Sequence, residues 1–171
     1  MNVDHADFNG LRFEPLRAQH ASELFNVLLD HELYEFIDER PPHSVESLVR
    51  RYRALESRRS PDGSQLWLNW VVRAPPEHRA IGYVQATVQG REAHIGYLIA
   101  KDYWGKGFAT VAVAWLIHQL SSIGVDKIVA TVEERNQRSM RVLEKLGFLI
   151  TQRRGTEIVF ECAPQARPTP D

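Results

Sequence analysis

Apolar positions recur along this chain with two different periods, and the change of period divides it. Leu11, Phe13 and Leu16, with Arg12 and Glu14 between them, suggest a first strand. Helical spacing follows in His20–Leu29, where Leu24, Phe25 and Leu28 share a side, and a second short helix is expected over His31–Ile37 before Pro41-Pro42. Ser44 is a suitable N-cap with Glu46 in the first turn, and Val45, Leu48, Val49, Tyr52 and Leu55 carry an amphipathic helix through Ser44–Arg58. Ser60-Pro61-Asp62-Gly63 ends it in a turn. Short runs rich in β-branched and aromatic residues then predict a three-stranded meander, Leu66–Arg73, Ala80–Val88 and Ala93–Ile99. Beyond it come a helix over Gly107–Ile123, a strand over Lys127–Val132, a helix over Gln137–Leu146, and strands Phe148–Arg153 and Glu157–Cys162. That order predicts an α+β domain: a mixed, mostly antiparallel central sheet of about seven strands with helices on both faces. The unit Ala93–Val132 is expected to cross over with right-handed chirality. Residues 1–8 and 163–171, the latter with three prolines, are expected to be loose ends of one domain.

Composition narrows the function classes. The 171 residues suit one domain with a real core, and 43% apolar with 25% charged residues is ordinary globular composition. A formal net charge of −1 gives no general attraction to nucleic acid or an anionic membrane. No apolar run approaches the ~18 residues that would span a bilayer, and the polar start lacks the features of a signal peptide. Cys162 is the only cysteine, so no intrachain disulfide can form, and a cytoplasmic protein is expected. His5, His20, His31, His43, His78 and His118 do not pair at metal-ligand spacing, so no metal site is expected.

The chemistry is expected in Tyr103-Trp104-Gly105-Lys106-Gly107-Phe108-Ala109-Thr110, between a strand and a helix. The two glycines permit unusual backbone angles, and the helix that starts there leaves several N–H groups without partners. With the helix dipole they form an anion site suited to a pyrophosphate. Taken alone, Gly-x-Gly is better read as a tight turn. A nucleotide P-loop is disfavoured, because Gly107 stands where Ser or Thr is required. A dinucleotide fold is disfavoured by the meander, which supplies no continuing parallel sheet.

The segment Trp104-Gly105-Lys106-Gly107-Phe108-Ala109 resembles motif A of the GNAT superfamily of N-acetyltransferases, Gln/Arg-x-x-Gly-x-Gly/Ala, with Trp104 in place of Gln or Arg. Together with Ile95-Gly96-Tyr97 it is similar to the ribosomal-protein N-acetyltransferase-like branch. A second match follows in Asn136-x-x-Ser139-x-x-Val142-Leu143-Glu144-Lys145-Leu146-Gly147-Phe148. The resemblance is specific over residues 81–148 and weak before residue 65. It implies acetyl-CoA as acyl donor, its pyrophosphate on the N–H groups of Gly105, Lys106, Gly107, Phe108, Ala109 and Thr110. The pantetheine arm would lie between splayed strands, against backbone groups of Leu98 and Ile99, with a hydrogen bond to Asn136. Asn136 also suits a helix N-cap.

Amine acylation by a thioester needs a neutral amine, donors for the oxyanion and a proton or hydrogen bond for the departing thiolate. The resemblance implies direct attack without an acyl-enzyme, and Cys162 is read as a small core residue. Many relatives place a Tyr seven positions after the motif Asn, where this chain has Leu143. Ser139, on the same side of the helix as Asn136, is the candidate thiolate donor, against the plainer role of serving the first helical turn. His94 is the candidate base, with an ordinary pKa of ~6.5, against the plainer reading of a strand histidine. Glu92 and Glu133 are reserves.

In such families the acceptor region is formed by the first helices. Here it carries Asp30, Glu32, Glu35, Asp38 and Glu39, with Tyr34 and Phe36 between, a run that would draw a cationic amine unless it is merely a solvated face. Trp67, Trp70 and Tyr83 could line the acceptor pocket. The expected partner is a small amine or a protein N-terminus, and the expected state is a monomer or homodimer. The competing reading is a non-catalytic acyl-CoA sensor that kept the cofactor loop.

Overall fold

The structure is a computed structural model that describes residues 5–164. Its centre is a mixed sheet in the order β1-β2-β3-β4-β5-β6-β8-β7. The strands are β1 (Ala6–Phe8), β2 (Leu11–Pro15), β3 (Leu66–Ala74), β4 (Arg79–Gln89), β5 (Glu92–Ile99), β6 (Lys127–Glu133), β7 (Leu149–Arg154) and β8 (Glu157–Cys162). The helices are α1 (Ala21–Leu28), α2 (Val45–Leu55), α3 (Phe108–Ser122) and α4 (Gln137–Lys145). Every pairing is antiparallel except β5 with β6.

Two differences from the sequence expectation have simple causes. The sheet has eight strands, because part of the N-terminal stretch expected to be loose folds back as β1, pairing Ala6 with Phe13. The expected helix over His31–Ile37 is a 3-10 turn over His31–Tyr34. Its bonds run from Leu33 to Asp30, Glu35 to Glu32 and Ile37 to Tyr34, and a segment this short ahead of two prolines cannot offset the cost of nucleating an α-helix. The proline-bearing tail lies, from residue 165 on, outside the described residues.

Strand alternation divides the core into two. Val71 and Leu98 pack with α1 and α2 through Leu24, Leu28, Leu48 and Tyr52. Val72, Ile81 and Val84 pack on the other face with α3 through Ala112, Trp115 and Leu116. Trp115 stacks on Phe13 at 3.9 Å between centroids and meets Trp70 edge-on at 5.2 Å. Ser44 and Ser47 cap α2 reciprocally, each hydroxyl accepting the other's backbone N–H.

One junction positions everything that follows. β5 pairs with β6 only at Glu92–Lys127, Ala93–Ile128 and His94–Val129, although both strands continue further. Beyond His94 they part. On its other edge β5 stays zipped to β4 as far as Ile99, opposite Gly82.

A buried histidine ties the α1 corner to the sheet. His20 is 5% exposed, its Nδ1 accepts from the Arg17 N–H at 3.0 Å, and its Nε2 lies 3.3 Å from Glu14. Burial, outweighing the opposite pull of Glu14 and helped by Arg73, holds its pKa below the ordinary value. The folded protein therefore holds His20 neutral to lower pH than the unfolded chain does, which takes up a proton below pH ~6.5. Stability from this site is full above that pH and declines as pH falls toward the lower folded-state pKa. The urea midpoint should be lower at about pH 5.5 than at about pH 7.5, and His20→Gln should reduce that difference.

Candidate active site

Where β5 and β6 part, the sheet opens into a cavity of about 330 Å³. Tyr97, Leu98 and Ile99 form its floor, and the start of α3 and one face of α4 form its sides. Leu33 of the 3-10 turn and Phe36 and Ile37 just beyond it close the far side. The cavity thus borders the stretch of β5 that is no longer bonded to β6.

The entrance of α3 has the predicted character. Gly107 is its N-cap, with φ +83° and no side-chain cap, and Gly105 also has positive φ, +72°. The first intrahelical bond is donated by Val111 to Gly107, so the amides of Phe108, Ala109 and Thr110 have no acceptor inside the helix. A Cβ added at either glycine would meet nothing within 4 Å, which is the open space a ligand needs. Trp104 donates its indole N–H to the Ile99 carbonyl at 2.7 Å, bracing the loop against β5. That bond occupies one of the backbone groups expected to pair with a pantetheine arm.

Facing this entrance, α4 supplies Arg138, Arg141 and Lys145, all lining the cavity. The Arg138 guanidinium sits 3.6 Å from the Trp104 ring centroid. These residues were not singled out from sequence, yet their spacing of three and four places them on one helical face beside Val142. A basic stripe opposite a dipole-bearing helix entrance complements a polyphosphate.

Two hydroxyls occupy the deeper part. Asn136 caps α4, its Oδ1 accepting from the Ser139 N–H at 3.1 Å, and both residues line the cavity. The Ser139 Oγ lies 2.5 Å from the Tyr97 Oη. Burial pushes the Tyr97 phenol up to about 12, against a smaller downward effect of Ser139, so it remains a proton-bearing donor at neutral pH. Tyr97 had been noted only as part of the β5 motif. Its pairing with Ser139 joins residues 42 apart in sequence, across the gap left when β5 leaves β6.

The model of the acetyltransferase (GNAT) domain matches residues 10–149. The chain belongs to the GNAT acetyltransferase family. Uncharacterized N-acetyltransferase p20 of Bacillus licheniformis is 37% identical over 68 residues, covering 39% of this chain and only 38% of that protein's length. Among solved structures, RimJ of Mycobacterium smegmatis in complex with CoA-disulfide superposes with TM-score 0.75 at 23% identity, over 91% of this chain and 85% of RimJ. The ribosomal-protein-S5-alanine acetyltransferase of Vibrio fischeri gives TM-score 0.72 at 21% identity, over 94% and 96% of the two chains. Both structures share the GNAT fold with it.

In this GNAT domain the other candidate residues fall in several places. Lys106 does not line the cavity; its ammonium bonds the Asp102 carbonyl at 2.8 Å and sits 5.5 Å from the Tyr103 ring centroid. His94 is not brought to the cavity either. It sits at the last position where β5 pairs with β6, its side chain is 61% exposed, and its Nε2 contacts Glu92 at 2.8 Å. The reserve carboxylates are engaged, Glu92 with His94 and Lys127, Glu133 with Arg135 at 2.9 Å. Trp70 is core, packed against Trp115 and lining neither cavity. Glu35 is exposed and also outside both. Cys162 packs against the core, and burial pushes its thiol up to about 11, away from nucleophilic thiolate chemistry.

Tyr34 and Tyr83 do meet, in a second cavity of about 280 Å³ between the α1–α2 layer and the sheet. Tyr34 donates its hydroxyl to the Leu28 carbonyl at 2.9 Å, and burial with the nearby Glu39 charge pushes it up to about 12. Tyr83 stands directly opposite Leu98, a residue of the first cavity. Tyr83 and Leu98, one lining residue of each cavity, thus form a register pair across β4 and β5. No helix among the described residues is long and apolar enough to cross a membrane.

Proposed function

We propose that this protein is an acyl-CoA-dependent N-acyltransferase that moves acetyl from acetyl-CoA to a primary amine, either a protein N-terminus or a small amine, by direct attack in a ternary complex. The observation that carries the reading is the parting of β5 from β6. It opens one cavity that holds free helix-entrance amides, a basic stripe and a hydroxyl pair together. The phosphates of acetyl-CoA suit the amides of Gly107, Phe108, Ala109 and Thr110 with Arg138, Arg141 and Lys145. The arm suits the exposed edge of β5 at Leu98. Asn136 holds Ser139 through the α4 cap, and Tyr97 holds its hydroxyl.

Acetyl-CoA supplies the activated acyl group. The residues of the chain manage the protons: Tyr97 and Ser139 form a relay whose outer hydroxyl donates toward the departing sulfur, in the role that a tyrosine at position 143 would otherwise fill. Leu143 is fully buried and takes no part. The amine must arrive neutral, and its proton leaves to water, because His94 lies outside the cavity and Glu32, the carboxylate that lines it, is paired with Lys101. With one thiol and no disulfide, the chain suits a reducing compartment such as the cytoplasm.

Thiol release from acetyl-CoA over a panel of amines tests the activity, and calorimetry with CoA tests the site. Ser139→Ala and Tyr97→Phe should each lower kcat by roughly 10²-fold with little change in KM for acetyl-CoA, and the double variant should lose little more, since the two act as one relay. Additive losses would separate them. Binding of CoA without thiol release from any amine would turn the reading into that of an acyl-CoA sensor.

A further inference from the structure

The acidic run before α2 invites the expectation of a cationic acceptor, and the structure changes the charge that such an acceptor would meet. Glu32 is paired with Lys101, Asp30 accepts the Glu32 N–H as a turn cap, and Glu35 is exposed away from both cavities. Of the five carboxylates in the run, only Glu39 lines the second cavity, and it lies 3.4 Å from Arg51. Arg40 lines the same rim, and among the described residues no carboxylate is paired with it. Around that cavity two guanidiniums thus answer one carboxylate. A polyamine would find one anionic partner and two repulsive ones there. A carboxylate would find two planar donor groups there, Arg51 already steadied by Glu39 and Arg40 with no competing carboxylate among the described residues.

The remaining walls describe the rest of the ligand. Leu28, Leu48 and Pro41 provide apolar surface, and a volume of about 280 Å³ suits a compact molecule rather than a folded protein surface. Tyr52, only 4% exposed, lies in the wall with its hydroxyl buried and without a hydrogen-bond partner. Such a group is costly to leave unmet, so it points to a polar guest. Tyr83 then bridges to the cleft, since its register partner is Leu98.

We propose that the second cavity is the acceptor pocket and selects small amino carboxylic acids, with Arg51 and Arg40 receiving the carboxylate and the amine directed past Tyr83 toward Leu98. This rests on the transferase reading above. The nitrogen forms a bond to the acyl carbon as the carbon–sulfur bond breaks with its electron pair on sulfur. One proton leaves the nitrogen for water, one reaches the sulfur from the Tyr97–Ser139 pair, and water returns a proton to that pair, so that amide and free thiol are the products.

Thiol release should be measured with leucine, methionine and phenylalanine, with their carboxamides, with a tripeptide amide and with spermidine. The free acids should exceed the amides by about tenfold or more in kcat/KM, and Arg51→Gln should erase that advantage while leaving the KM for acetyl-CoA unchanged. Arg51 is more than half exposed, so its replacement should not unfold the chain. Tyr52→Phe should raise KM for the acid alone. Calorimetry with leucine, with and without CoA, reads the pocket independently of turnover. Preference for spermidine, the amides or the peptide, or absence of leucine binding beside normal CoA binding, overturns the acceptor assignment and leaves the transferase standing. Leucine binding that Arg51→Gln abolishes, in a protein that fails to bind CoA, keeps the carboxylate pocket but overturns the transferase reading and with it the pocket's role as acceptor site.

Discussion

Gly82→Ala should destabilise this protein more than any other single methyl addition at a described glycine. Gly82 lies in the middle of β4 with φ +153°, and a Cβ there would stand 1.9 Å from the Leu98 carbonyl oxygen and 2.9 Å from its carbon. Both obstacles are backbone, so no rotamer change relieves them. The close approach is needed because β4 holds β5 from one side where β6 has already let go of the other. Overpacking costs roughly 1–3 kcal/mol and backbone strain a similar amount, so a loss of roughly 2–6 kcal/mol is expected. For a domain of this size that lowers Tm by about 5–20 °C. The change should also weaken CoA binding, since Leu98 and Ile99 border the cleft. Gly96→Ala is the matched control. Its Cβ meets the Gln85 amide nitrogen at 2.9 Å, the far end of a flexible side chain that can move aside. Equal Tm values for the two variants would contradict this account of the β4–β5 contact.

Gly107→Val should have the largest effect on cofactor affinity with the fold kept. The position has φ +83°, which strains a β-branched residue by about 1–3 kcal/mol, but its Cβ meets no protein atom within 4 Å. Gly107 lines the cavity beside Phe108, Ala109 and Thr110, so the added methyl groups should compete with a ligand for the space at their amides. Hydrogen bonds to a charged group contribute roughly 1.5–3 kcal/mol each, so blocking one or two should weaken CoA binding about 10²-fold or more. Circular dichroism should remain native. Lys106→Ala, one residue earlier, should change affinity less than about threefold, because that ammonium is bonded back to Asp102 and lies outside the cavity. If Lys106→Ala proves the more damaging of the two, the helix entrance is not where the phosphates sit.

The parts of the site that could be read from sequence are those carried by contiguous residues. Trp104–Thr110 announces a glycine-opened helix entrance, and Asn136 with Ser139 announces a capped helix start, because caps and positive-φ glycines act over three or four residues. The basic stripe of α4 was present in the spacing of Arg138, Arg141 and Lys145. His94 was misplaced because strand alternation says which face a residue takes, not whether its strand has yet separated from a neighbour. Trp70 was drawn toward the acceptor for want of knowing that Trp115, on a helix 45 positions later, covers it. The acidic run looked like a cation trap because its partners, Lys101 and Arg51, lie outside it in sequence.

By itself the amino-acid sequence determined the order of strands and helices from β2 onward, except for the 3-10 turn at His31–Tyr34, and the residues at the mouth of α3, since periodicity, capping and glycine angles are local properties of the chain. Tertiary structure alone decided that β5 leaves β6 after His94, that Tyr97 meets Ser139 across the gap, and that the charges around the second cavity balance toward arginine. Those depend on strand register and on contacts between residues tens of positions apart, and neither is encoded in any single stretch of residues.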